Sequence, residues 1–334
     1  MTQLSIVIPV LGPLELMEST LASVLQNRPA ASEVVVLLPS AYSDPYGLGE
    51  EVRFVVVPEA RDLATLLTAA LKTIEGTVLH VLSAGAEVAE DWTVGPLERF
   101  WDARIAAVAP LVVLSQQESI VASVGVDYSV GGTRRVVGSG EEVVEHLVED
   151  DVLGPTLIAG FYRIDALRQL AAPFEPAVGD RRLDVDTALQ LQAAGYRAVY
   201  DPRSVVYRES ARLGETSPFA AGRQCERLFL RHVPQRGRLR SLVAHLPTLL
   251  GGLFGKGAVK EKLARGLGRL TATLELLRYR KFRRDQLALG RPGLSFGRTS
   301  TGDRFRIDTA HSRRATSAPS RLPADQRPDG DAMA

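Results

Sequence analysis

Residues 4–10 (LSIVIPV), 33–38 (EVVVLL), 53–58 (RFVVVP) and 78–83 (VLHVLS) are short, continuously apolar and rich in β-branched residues. Runs of this kind suit strands buried on both faces, the condition of a parallel sheet. Helical patterns lie between them. Residues 14–26 place Leu14, Met17, Leu21 and Leu25 on one stripe, and DLATLLTAALKTIEG is a second helix stopped by Gly76. Strands alternating with helices imply βαβ units. Their right-handed crossovers put helices on both faces of the sheet. The expected fold is α/β, with a mostly parallel sheet covered on both sides.

The next stretch adds a helix through Leu97, Phe100 and Trp101, followed by a strand ending near residue 114. Trp92 and Trp101 both read as core residues. Residues 119–140 alternate apolar and polar positions and predict a hairpin with Gly131-Gly132 as its turn. The segment LDVDTALQLQAAGYRAVYDP then sets Asp184 and Asp186 at the head of an amphipathic helix that carries Leu189 and Leu191 and stops at Gly195. Carboxylates suit that place, because free N–H groups and the helix dipole favour negative charge there. A strand ended by Pro202 follows.

Charge is unevenly distributed. The net charge of the 334 residues is +1, while residues 256–284 hold ten Lys/Arg against two Glu, a local +8, so the rest sums to 1 − 8 = −7. Within that basic stretch Leu263, Leu267, Leu270, Leu274 and Leu277 form a helical stripe. Gly266 and Gly268 weaken this helix by about 1 kcal/mol each relative to Ala. The single Cys225 excludes an internal disulfide framework and suits a reducing compartment; it reads as a small residue on a helix face rather than a catalytic thiol. The N-terminus lacks a basic n-region and SIVIPV is too short for a signal-peptide core, so a cytoplasmic location is expected. No run reaches the about 18 apolar residues of a spanning helix. The nearest, 242–254, is short and contains His245 and Pro247. The polar stretch 290–334 reads as a disordered tail. The expected organisation is a main domain over 1–210, a basic helical extension over 211–289 and the tail over 290–334. G-x-G-x-x-G, P-loop and G-x-S-x-G motifs are absent, as are Cys/His clusters with metal spacing. The basic stretch has few aromatics, so no nucleic-acid partner is expected.

The order of these features resembles the family 2 glycosyltransferases, which have the GT-A, Rossmann-type fold of the nucleotide-diphospho-sugar transferases. The likeness runs over roughly residues 3–210. LSIVIPVLGPLELMESTLASVLQ, with Pro9, looks like the family's nucleotide-sugar opening, and Arg61-Asp62 fall near its basic segment before a helix. Phe174-Glu175, Leu183-Asp184-Val185-Asp186, Gly195-Tyr196-Arg197 and Tyr200-Asp201-Pro202 follow at the family spacing. The resemblance implies a nucleotide-sugar donor, with Asp184 as the base that deprotonates the acceptor and Asp186 as its acidic companion. Pro9, Arg61, Ser83 and Arg208 stand at substrate-binding positions. The residues alone leave a second reading open, in which Asp184 and Asp186 only cap the helix.

The chemistry departs from the family at four places. Leu183 replaces the usual Glu. Ser83 and Gly85 stand where an Asp-x-Asp normally holds Mn or Mg, and neither suits a hard cation. Leu38-Pro39-Ser40 replace the carboxylates that contact the nucleoside. Arg208 replaces the His that often completes the metal site. No metal or other cofactor is therefore expected, and Arg208 stands either against the donor diphosphate or in a surface salt bridge. Two functions stay open: a metal-independent glycosyltransferase, and a catalytically inactive binding or scaffolding protein of the same fold. The basic leucine stripe within 240–285 suits a peripheral helix on an anionic membrane surface. Alternatively, its leucines pack on the main domain or on a second copy.

Overall fold

The computed structural model describes residues 3–209, 216–233, 238–254 and 258–275, with 279 and 282. The expected tail over 290–334 and Leu277 of the stripe lie outside the described residues. The chain begins β1 (Leu4–Pro9), α1 (Leu14–Asn27), β2 (Ser32–Leu38), β3 (Val52–Val56), α2 (Leu63–Thr73) and β4 (Val78–Leu82). β1 pairs parallel with β2 and with β4, and β2 pairs parallel with β3. The three apolar runs at 4–10, 33–38 and 78–83 thus share one sheet. Every residue of β1 and β4 is buried. β3 is the edge strand and is only partly buried, so its apolar run marks a strand but not a doubly covered one.

Alternation sorts the strand side chains into two layers. Leu4, Ile6 and Ile8 pack with Met17, Leu21 and Val24 of α1 on one face. Val7, Val35 and Val81 pack with Leu66, Leu67 and Ala70 of α2 on the other. Each fully buried aliphatic side chain contributes roughly 1.5–3 kcal/mol. On α1 the buried stripe runs through Met17, Leu21 and Val24, while Leu14 is exposed.

Beyond β4 come β5 (Ala86–Val88), α3 (Val94–Arg99), β6 (Ile105–Leu114), β7 (Gln117–Ser123), β8 (Gly125–Tyr128), β9 (Arg134–Val137), β10 (Asp150–Val152), β11 (Ala159–Arg163), α4 (Ile164–Arg168), α5 (Leu183–Ala193) and β12 (Arg197–Arg208). β11 runs antiparallel between β4 and β6, and β12 extends the sheet parallel to β6. The main path is β10-β12-β6-β11-β4-β1-β2-β3, with β5 on β12 and β7 on β6. β8 and β9 form the hairpin with Gly131-Gly132 in its turn, while residues 119–123, expected in the same unit, belong to β7 on the main sheet. Helices α4 and α5 join α2 on its face, so both faces are covered as expected.

Trp92 is buried, but Trp101 is 82% exposed, which corrects its assignment to the core. The helix ends at Arg99, two residues before Trp101.

Three helices close the described chain: α6 (Pro218–His232), α7 (Arg238–Phe254) and α8 (Val259–Leu274). α6 and α8 approach so closely that a Cβ on Gly222 would collide with the Arg265 carbonyl, and one on Gly268 with that of Phe219. Gly268, expected only to weaken its helix, is what lets the two backbones meet. The glycine side of α8 faces inward, and Leu263, Leu267, Leu270 and Leu274 face outward at 57–80% exposure.

His80 of β4 is fully buried, stacked on Phe161 at 3.7 Å between ring centroids. Its Nδ1 lies 3.3 Å from the Gly160 carbonyl, and Trp92 Nε1 donates to its Nε2 at 3.2 Å. Burial, only partly opposed by the Gly160 carbonyl, lowers its pKa from 6.5 to about 3. The folded state thus refuses a proton that the unfolded chain takes below pH 6.5, and stability falls as pH drops from there towards 3. At pH 5 the loss from this group is about 2 kcal/mol. We expect His80→Phe to be less stable at pH 7, through the lost Trp92 bond, yet to lose about 2 kcal/mol less than wild type between pH 7 and pH 5. Urea unfolding at the two pH values checks this; equal losses would show that His80 takes no part.

Candidate active site

Ligands of open α/β sheets bind beyond the carboxyl ends of the strands. Here β4 ends into Ser83–Gly85. Ser83 is fixed by its N–H to Ile158 O at 2.8 Å and by its hydroxyl, which donates to Leu157 O at 3.1 Å. The Gly85 N–H is shared between Leu16 O and Thr20 Oγ1 of α1, both at 2.9 Å. The Glu87 carboxylate accepts from the Ser19 hydroxyl of α1 at 2.7 Å.

β5 brings this corner against the end of β12, where Arg208 pairs directly with Ala86. Arg208 is half-buried. Burial lowers its pKa from the ordinary arginine value. Among the described residues no carboxylate forms a salt bridge with it, so the surface salt-bridge reading finds no partner there. Its charge is partly stripped of water without an opposite charge among the described residues, which is costly.

Across the residue 154–158 strip lies α5. Leu157 O and Ile158 O hold Ser83, while a Cβ on Gly154 would stand 2.5 Å from the Ala188 side chain of α5. Asp184, in the first turn of α5, is 4% exposed. Arg134 of β9 grips it with both arms of its fork, Nε to Oδ1 at 3.0 Å and Nη2 to Oδ2 at 2.5 Å. The Val185 N–H also donates to Oδ1, at 2.8 Å. Tyr162 of β11 is buried nearby with its hydroxyl unpartnered. Burial first, and then the Asp184 charge, raise its pKa well above the usual tyrosine value.

Asp186 does not join Asp184. It is 0% exposed and turned inward, with His232 Nε2 at 2.6 Å from Oδ1 and Gln190 Nε2 donating to Oδ2 at 2.9 Å. Arg231 Nε lies 2.7 Å from Oδ1, an ion pair without hydrogen-bond alignment. In this geometry Asp186, the expected acidic companion of Asp184, points away from it and clamps α6 onto α5.

The remaining candidates sit at the edges. Pro9 is the buried last residue of β1. Arg61 is exposed. It directly precedes Asp62, which caps α2 by accepting from the Thr65 N–H at 2.7 Å. Asp180, just before α5, accepts from the Leu63 N–H at 3.0 Å, so Arg61 neighbours the approach to α5. Arg134 and Tyr162 were not singled out in the sequence. The signal for Arg134 was the Arg134-Arg135 pair after the glycine turn, since one of two successive strand residues must face inward.

This sheet, with its antiparallel β11 and helices on both faces, has a GT-A-like fold. Among solved structures it is similar to GalNAc-T7 with UDP, GalNAc and Mn2+, at a TM-score of 0.55 and 15% identity over 83% of this chain. The match spans 56% of that longer chain. It is also similar to the mannosyltransferase PcManGT from Pyrobaculum calidifontis in complex with GDP-Man and Mn2+, at a TM-score of 0.48 and 16% identity over 86% of this chain and 84% of that one. No family model matches the sequence, and no curated protein matches it. The likeness is therefore one of fold.

If Asp186 is the clamp, Asp186→Ala takes the shared carboxylate from buried Arg231 and His232, leaves Arg231 with Glu175 as its remaining ion pair, and should cost roughly 3 kcal/mol, the low end for breaking a buried pair. Chemical denaturation measures it; an unchanged midpoint would remove Asp186 from that role.

Proposed function

We propose that the chain transfers a sugar from a nucleotide-diphospho-sugar donor to an acceptor hydroxyl, with Asp184 as the general base and Arg208 against the leaving diphosphate. The observation that carries this reading is Arg208: a half-buried guanidinium without a carboxylate among the described residues, opposite Ala86 at the mouth of the sheet. A diphosphate supplies the missing charge and fits the fork bidentately. The GT-A fold supports the donor class. Proton removal by Asp184 and charge stabilisation by Arg208 are the two needs of the transfer.

A divalent cation does not fit the residues at this corner. The Ser83 hydroxyl is spent on Leu157 O, Gly85 has no ligand atom, and the Glu87 carboxylate is drawn to Ser19. Arg208 adds a repelling charge. We read the transfer as metal-independent. UDP and GDP should then bind in the presence of EDTA, and Arg208→Gln should weaken that binding roughly 10–100-fold, the scale of a lost charged hydrogen bond. Calorimetry decides: binding only with Mn, or an unaffected R208Q, would overturn the assignment.

The grip of Arg134 on Asp184 favours a second reading, a binding or scaffolding protein that uses the fold without turnover. Asp184→Asn separates the two. For an enzyme it should cut nucleoside diphosphate release by about 100-fold or more while donor binding holds.

We also propose that the protein docks on an anionic membrane surface. Among the described residues no helix is long and apolar enough to cross a membrane. Leu242, Val243, Leu246 and Leu250 of α7 are exposed, as are Leu263, Leu267, Leu270 and Leu274 of α8. The exposed cations Arg238, Arg240 and Lys260 accompany them. Apolar residues at the acyl boundary with cations among headgroups is the pattern of an interfacial helix. Liposomes containing phosphatidylserine should sediment the full chain at low salt and release it as salt rises. Failure to bind, or self-association in place of binding, would return this face to a protein interface.

A further inference from the structure

The side chain that holds Asp184 reaches it from a separate element, and that element is fixed at both ends. At its root, Gly125 of β8 lies so close to the 154 backbone that a Cβ would stand 2.9 Å from Gly154 O, and the Val126 N–H donates to that carbonyl at 2.8 Å. Gly154 in turn rests on Ala188 of α5, the helix that carries Asp184. At the tip, the Gly131 carbonyl accepts from His245 Nδ1 at 2.6 Å and from Thr248 Oγ1 at 3.0 Å, both on α7. The tip has no room for a side chain at Gly131, where a Cβ would stand 2.5 Å from Ala244 O. Gly132 takes a φ of +87°, open to glycine at no steric cost. The His245 ring stacks on Phe229 of α6 at 3.7 Å, and its Nε2 faces Glu226 at 3.0 Å. The hairpin is thus a strut from α5 to α7, with Arg134 beside the turn.

We infer that Arg134 is a positioning residue for the base and that the β8–β9 hairpin is the arm that carries it; this rests on the glycosyl-transfer reading above. A carboxylate offers about four lone-pair sites. Arg134 Nε and the Val185 N–H occupy those of Oδ1, and Arg134 Nη2 occupies one on Oδ2. One site on Oδ2 remains for an acceptor hydroxyl. A planar fork that grips both oxygens fixes the carboxylate plane, and with it the direction in which that site points. Lysine keeps the charge but not the fork. Arg135, the next residue, pairs instead with Asp127 at 3.5 Å and is 63% exposed. It carries the same charge on the same hairpin without touching Asp184, and so serves as the control.

The test uses the full-length protein and follows release of UDP or GDP from a panel of UDP- and GDP-sugars. Asp184→Asn is measured alongside Arg134→Gln, Arg134→Lys and Arg135→Gln. Arg134→Gln should lower kcat by about 100-fold, the scale of a misplaced reacting group, with donor KM nearly unchanged. Arg134→Lys should recover part of the loss, and Arg135→Gln should match wild type. A merely structural Arg134 would lower the melting temperature and the amount of active protein while leaving kcat per active site intact. If Arg134→Gln does not fold, Arg134→Lys decides, because wild-type kcat there overturns the positioning role. Wild-type kcat in Arg134→Gln with an inactive Asp184→Asn would also sink it and leave the glycosyl-transfer reading standing. Full activity in Asp184→Asn would remove the base itself, and no release by wild type from any donor would remove the enzyme reading; the positioning role falls with either.

Discussion

A carboxylate with no exposed surface must be matched by charge or lose its ionisation, and Asp186 is matched from outside its own helix. Arg231 and His232 come from the end of α6, and Arg231 also reaches Glu175, at 3.1 Å, just before α5. Further pairs continue the seam. Arg223 and Arg227 of α6 both hold Glu275, and Glu226 of α6 draws in Arg269 of α8 and His245 of α7. Polar contacts of this kind have directions, so they fix orientation in a way that an apolar seam does not. Together with the Gly222 and Gly268 contacts, they dictate which side of α8 faces inward. The leucines are turned outward as a consequence. The exposed apolar face is therefore a product of the buried charges.

What the sequence made legible follows from how local each signal is. Strands covered on both faces announce themselves through unbroken β-branched runs, and β1, β2 and β4 were read on that basis. The glycine turn of the hairpin and the stop of α5 at Gly195 are equally local. Trp101 shows where locality fails: a helical stripe can be extended past the true helix end, and size then argues wrongly for burial. The setting of Asp186 is hidden for another reason. Two carboxylates two positions apart look alike in a sequence, but on a helix they point in different directions. One meets a hairpin arginine, and the other meets an arginine and a histidine lying 45 and 46 residues further on. Nothing near them in the chain announces those partners.

Arg208 was legible through a substitution pattern rather than a motif, and its geometry sharpens what the substitution does. A metal ion brings charge to a diphosphate from solution and needs carboxylates to hold it. A guanidinium on a strand brings its charge within the fold. Because it is half-buried, its water shell is already thinned, and the ion pair proposed with a phosphate would forfeit less hydration than one made by a fully exposed arginine. On the proposed reading, half-burial without a carboxylate among the described residues builds anion affinity into this sheet corner. The same corner would repel a cation.

Asp184 presents the complementary problem. A base must be ionised, oriented and yet open on one side, and burial alone gives only orientation. The Arg134 fork supplies the counter-charge and the plane together, but a fork mounted on a loose loop would wander and take the carboxylate with it. The hairpin is not loose, because its root rests on α5 and its tip is tied to α7. α7 is also the helix whose other side carries the exposed leucines. That face and the hairpin tip thus share one helix, and Arg134 of the hairpin holds the proposed base Asp184. The ion-paired seam that holds α6, α7 and α8 in place is therefore part of what keeps one lone pair of Asp184 aimed.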